Sequence, residues 1–326
     1  MQAARPEIRR SQGRDWPAES PALPGWIAPW CEQHLGAAPV ELLLRDGHLS
    51  AVYGLRLGDD REVVIKASRD EPVRVAACVA AQAALAGGGF RCPAPLTSVT
   101  SVEGDLAVHA EEWLPGGEML RGDDPDVARC YAAVYADLME RLGPVRVPPP
   151  LPSPYWLGWD HPGPEPWPPI DELDSRDQSL VPGFVVHTAI RATGRLRRSR
   201  DHPRVLGHAD FEAQNMRWAG RELLVLYDWD SLAWMPEPVL VGSASGVFAN
   251  AEAPTLAPLE SSAAFIEEYQ VTRGRAFSTD ELELAWAASL WTATHNAREQ
   301  ALLGQPPVAT TALRAQAAAR LRLANA

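Results

Sequence analysis

Between residues 208 and 230 the chain reads HADFEAQNMRWAGRELLVLYDWD, and few folds accommodate that order. The first eight residues have neither helical nor strand periodicity. In a loop, Asp210 and Asn215, five positions apart, can turn their side chains toward one point. The Ala219–Gly220 pair is a turn signal, and the apolar run LLVLY behind it reads as a strand. The two arms form a hairpin that delivers Asp228 at a strand end, where a carboxylate is a rigid oxygen ligand. Read singly, each half fits an ordinary cap or turn. Read together, they place a proton-accepting carboxylate beside two oxygen donors suited to a hard cation.

The rest of the chain is compatible with such a site. With 326 residues, 46% of them hydrophobic, it can bury a sizeable core. Residues 41–68 read as three strands, ELLLRD, SAVYGLRL and EVVIKAS, with GDD as a turn between the last two. The Ala-rich segment 71–89 reads as a helix ended by a glycine run. DLAVHAEEWL is a further strand, broken by PGGE. After it come a helix over 124–143 and a proline- and tryptophan-dense insertion, 143–170, in which no regular element can continue. That insertion reads either as packed irregular chain or as a lid. A helix near 177–200 and long helices near 240–251, 258–274 and 279–304 complete the pattern. The expected fold class is α+β. A flexible segment 1–22 precedes a β-rich part, 23–113, and a mainly helical part, 114–326.

Charge and cysteine usage narrow the partners. A net charge of −12 argues against nucleic acid as the main partner and is compatible with a cationic substrate. Cys31, Cys78, Cys92 and Cys130 show no CxxC spacing, so they read as reduced thiols of a cytoplasmic protein. The charged N-terminal stretch has no apolar core of a signal peptide, and no span is apolar enough to cross a membrane.

The motif pair HADFEAQN and LYDWD resembles that of the aminoglycoside phosphotransferase and choline kinase group, small-molecule kinases on the protein-kinase-like fold. Ala209, where protein kinases carry arginine, favours the small-molecule branch. The resemblance implies a two-lobe fold with a β-rich N-lobe, ATP or GTP as donor, and Mg2+. It implies Asp210 as base, Asn215 and Asp228 as metal ligands, and His208 as a brace for the loop. Lys66, inside the apolar strand EVVIKAS, would pair with nucleotide phosphates, since an uncompensated charge there is costly. Gly47 and Ser50 would sit at the tip of the phosphate-covering hairpin, and backbone groups of Glu112, Trp113 and Leu114 would meet the base edge. The pattern departs from the family at one place. The helix glutamate that pairs with the lysine should fall near Cys78, yet no acid lies between Val73 and Phe90. Glu71, or the phosphates with Asp228, remain as partners of Lys66.

The acceptor is a small-molecule hydroxyl of open identity. Asp230, Glu212, Trp234, His295 and Glu299 are candidate substrate residues, with Asn296 beside them and Trp286 and Trp291 read as core. Acids there suit an amino sugar or amino alcohol; the tryptophans suit a quaternary ammonium. Three other readings stand open: a catalytically weak nucleotide-binding protein on the same fold, a choline-type kinase, and a glycosyltransferase using DWD. The last predicts βαβ alternation that the N-terminal half lacks. A metallohydrolase is disfavoured because the other histidines show no ligand spacing.

Overall fold

The computed structural model describes residues 23–47, 50–102, 106–147, 154–199, 201–251 and 255–326. The expected flexible segment 1–22, the hairpin tip 48–49 and part of the insertion lie outside them. The chain divides into two compact units, 1–116 and 117–326, three residues beyond the boundary expected from the sequence.

The first unit contains α1 (Ile27–Leu35), β1 (Pro39–Gly47), β2 (Ser50–Leu57), β3 (Glu62–Ser68), α2 (Pro72–Gly87), β4 (Thr100–Val102) and β5 (Leu106–Glu112). The strands form one antiparallel sheet in the order β1-β2-β3-β5-β4. Alternation divides the sheet into two buried faces. Tyr53, Leu55, Val63, Ile65, Ala67, Val108 and Ala110 pack with Ile27, Trp30 and Cys31 of α1. The opposite face carries Val64, Lys66, Ala107, His109 and Glu111, with Val75 and Val79 of α2 packed on Ala107. Polar residues are thus buried on the α2 face, where each needs a partner.

The second unit contains α3 (Pro125–Leu142), α4 (Asp171–Asp174), α5 (Gly183–Arg197), β6 (Arg204–His208), β7 (Met216–Ala219), β8 (Glu222–Leu226), β9 (Leu232–Pro236), α6 (Glu237–Val247), α7 (Leu259–Arg273), α8 (Thr279–Leu303) and α9 (Val308–Leu323). Its helices start where the chain supplies caps. Asp124 accepts the Asp126 and Val127 N–H groups ahead of α3, and Ser278 with Glu281 forms a capping box ahead of α8. The core gathers the rings of Tyr131, Tyr135, Phe211, Phe248, Phe265 and Tyr269. In the insertion Trp159 and Trp167 are buried, and Thr193 and Trp291 both donate to the Pro166 carbonyl. β6, β9 and α9 go beyond the sequence expectation. β6 pairs with β9 around the motif, and α9 occupies a stretch to which the sequence reading assigned nothing. Buried Arg320 anchors α9 by donating to Ser289 Oγ, Ser262 Oγ and the Ala257 carbonyl. Among the described residues no helix is long and apolar enough to cross a membrane, and the four cysteines are free thiols.

Candidate active site

The HADFEAQN segment leaves β6 as a loop and ends in a single 3-10 turn, Ala213–Asn215, before β7. Its conformation is fixed from several sides. The Asp210 N–H donates to His208 Nδ1 at 3.3 Å, and His208 Nε2 lies 3.2 Å from the Tyr227 carbonyl. That pair of bonds requires a neutral ring protonated on Nε2. The ring is fully buried, and Tyr135 Oη donates to the His208 carbonyl at 2.9 Å. His208 therefore ties the loop to the strand end that carries Asp228.

Asn215 closes the loop. Its Nδ2 donates to both the Asp210 carbonyl and Asp210 Oδ2, each at 2.9 Å. The amide hydrogens are thus committed to Asp210, which leaves Oδ1 as the ligating atom of that side chain. Hairpin β7–β8 follows with the expected turn at Gly220, and the Tyr227 N–H donates to the Asn215 carbonyl at 2.8 Å. Asp228 then adopts φ 64°, ψ 51°, a left-handed conformation that few non-glycine residues hold. Ser231 Oγ donates to Asp228 Oδ2 at 3.2 Å and orients the carboxylate.

Among the described residues no group of three or more His, Cys, Asp or Glu side chains is placed to hold a metal ion. Two hard oxygen donors, Asn215 Oδ1 and the Asp228 carboxylate, suit an ion such as magnesium that keeps waters and phosphate oxygens in its shell.

Glu212 sits inside the same loop. Its carboxyl accepts from Asn250 Nδ2 at 2.6 Å and from Gln214 Nε2 at 2.7 Å. Burial, and then the charge of Asp210, push it well above the usual carboxylate range despite those two amides. A small cavity of about 50 Å³ opens beside it, lined by Asp210, Glu212, Trp156, Trp291, His295 and Asn296 among others. Four of the residues singled out in the sequence therefore meet there, joined by Trp156 of the insertion and by Trp291, which the sequence reading assigned to the core. Asp230, Trp234 and Glu299 lie outside that lining. Trp286 is buried against the Arg320 guanidinium.

In the first unit Lys66 is buried on β3, opposite His109 of β5. Its counter-ion is Glu111, with Nζ to Oε1 at 3.7 Å. This residue was missed from sequence, where Glu71 and the phosphates were weighed instead. Strand alternation carried a signal for it: in LAVHAEE, His109 and Glu111 fall on the face opposite Val108 and Ala110. Composition carried another, since Lys66 is the only lysine beside 29 arginines. Gly47 and Ser50 flank the hairpin tip, and a methyl group at 47 would lie 2.5 Å from the Ser50 carbonyl oxygen. The Glu112 N–H already donates to the Ala94 carbonyl, so that group of the expected base-binding stretch is engaged within the unit. Trp113 and Leu114 follow it half-buried.

The sequence model of the phosphotransferase enzyme family matches residues 42–237, more than half of the chain and a span that includes the lysine strand and the whole motif pair. No curated protein matches it. Among solved structures, it is similar to an amicoumacin kinase with AMP-PNP and Ca2+ (11% identity, 88% of each chain, TM-score 0.61). It is similar to an aminoglycoside phosphotransferase from Alicyclobacillus acidocaldarius (14% identity, 94% of this chain and 95% of that one, TM-score 0.55). It also resembles a spectinomycin phosphotransferase with ADP and spectinomycin (12% identity, 94% of each chain, TM-score 0.54). With a five-stranded antiparallel sheet in one unit, a mainly helical second unit and a family match over more than half its length, the chain belongs to the phosphotransferase enzyme family and has the protein-kinase-like fold.

Proposed function

We propose that the protein transfers the γ-phosphoryl group of ATP or GTP to a hydroxyl of a small molecule, with an amino sugar or amino alcohol as the acceptor class. The observation that carries this reading is the loop in which Asn215 holds the Asp210 carboxylate beside a small cavity. In the proposed reaction the acceptor oxygen gives its proton to Asp210 as it attacks the γ-phosphorus. The bond from that phosphorus to the β-γ bridging oxygen breaks, and the nucleoside diphosphate leaves. Asn215 Oδ1 and the Asp228 carboxylate are the oxygens that would hold magnesium, whose contribution is to neutralise the terminal phosphates. Lys66 steadies those phosphates as a compact point charge, a task for which a guanidinium is a poor substitute. His208 keeps the loop in register. Asp210 in the cavity lining, with Trp156 and Trp291 as walls, supports a cationic acceptor.

Phosphate transfer from labelled ATP and GTP to a panel of aminoglycosides, other amino sugars, choline-like amines and neutral sugars tests this. The Asp210→Asn variant should lose on the order of 10²–10⁴-fold in kcat while still binding nucleotide. Transfer that survives in this variant would remove Asp210 from its role. Absence of transfer across the panel would favour a nucleotide-binding protein without turnover.

A further inference from the structure

The contact between Lys66 and Glu111 is built into the sheet. Val64 stands opposite Glu111 and Lys66 opposite His109, so the two charged side chains leave the same face as diagonal neighbours on adjacent strands. A one-residue slip would drive either strand's charges into the apolar face against α1, so the register that buries Ile65 and Ala110 also sets this pair. The two carboxylate oxygens have separate partners. Oε1 faces Lys66 at 3.7 Å, and Oε2 accepts from Gln82 Nε2 at 2.9 Å. Gln82 is itself held on α2 by donating to the Pro93 carbonyl at 2.8 Å. α2 carries no acid from Pro72 to Gly87. One turn before Gln82, at the place expected for a glutamate, Cys78 accepts from Arg74 Nη1. Burial and then the charges of Glu111 and Glu112 push the Cys92 thiol up to about 12.

We infer that Glu111 is the positioning residue for Lys66, a carboxylate carried by the sheet in place of one carried by the helix. The inference rests on the phosphotransferase reading for what Lys66 then does. The retained lysine supports it: a chain that uses arginine at 29 of its 30 basic positions keeps its one ammonium at the position where Glu111 meets it. Because β3 and β5 are hydrogen-bonded neighbours, the pair does not depend on where α2 sits. The helix takes part through the neutral amide of Gln82.

The test uses the full-length chain in three forms: unaltered, Glu111→Gln, and Glu111→Gln with Gln82→Glu, which moves the carboxylate onto the helix. Two quantities are read on each form, together with its melting temperature. One is the Kd for magnesium AMP-PNP by calorimetry. The other is the titration midpoint of the single lysine by 13C NMR of protein labelled with [ε-13C]lysine, without nucleotide. Glu111→Gln should raise the Kd about tenfold and lower the lysine midpoint by at least about one pH unit, and the double variant should recover most of both. A folded Glu111→Gln protein with Kd and midpoint unchanged overturns the proposal. So does a folded double variant that recovers neither, and that variant decides the matter if Glu111→Gln alone fails to fold. An unaltered protein that binds no nucleotide removes the phosphotransferase reading, while the lysine midpoint still decides the pair.

Discussion

Glu212 shows how one residue sets a pH dependence. Its carboxyl is enclosed, and Asp210 adds a like charge, so the folded protein holds the Glu212 proton to higher pH than the unfolded chain does. The folded state thus binds more protons between the ordinary glutamate midpoint and the raised one, and stability falls as pH climbs through that window. In Glu212→Gln that decline should vanish. The two amides donate to separate oxygens of Glu212, and a glutamine offers only one acceptor, so the variant also loses a hydrogen bond, a roughly constant cost of about 1 kcal/mol. Melting temperatures from pH 4 to pH 8 check this: parallel curves for the two proteins would exclude Glu212 as the titrating group. Residues of this kind were only partly legible. Asp210, Asn215 and Asp228 were visible because chemistry and spacing coincide within one short stretch. Glu111 was not, because its role depends on which strand lies beside β3, and pairing across 45 positions of chain is not encoded in either strand alone.

At the scale of elements, α6 and α8 touch at their backbones. A methyl group on Gly242 would run into the Ala285 carbonyl, and Gly246, one turn later, faces Ser289 with more room. Gly242→Ala should therefore cost about 1–3 kcal/mol or more through overpacking. For a unit of this size that is a fall of several degrees in melting temperature, at about 2–4 °C per kcal/mol. Gly246→Ala should cost less, and equal losses in thermal denaturation would refute the backbone-contact account. The elements themselves were largely legible. β2 and β3 span the residues read as apolar strand runs on either side of the GDD turn, and α2 ends in the glycine run. β6 and β9 were not read, since each is a five-residue strand whose partner lies beyond a hairpin. α9 escaped because its alanine- and arginine-rich stretch lacks a strong apolar stripe, and it is held instead by buried polar contacts of Arg320.

For the whole molecule, the proposed nucleotide site predicts a linkage between ligand and folding. A ligand bound only by the folded state at 100 times its Kd adds about 2.7 kcal/mol of stability. Magnesium AMP-PNP should thus raise the melting temperature by several degrees, and Lys66→Ala should reduce most of that gain. A shift of the same size in Lys66→Ala would detach the lysine from nucleotide binding. The acidic surface, at a net charge of −12, contains only arginine as its side-chain cation, because the sole lysine is buried beside Glu111. One consequence lies outside catalysis. Cross-linkers, acetylating enzymes and ubiquitin ligases all seek an ε-amine, and the folded surface of the described residues presents none. An acyl group placed on Lys66 by an enzyme that must engulf its lysine therefore records an opening of the sheet, and the chain carries a single ε-amine reporter of its own unfolding.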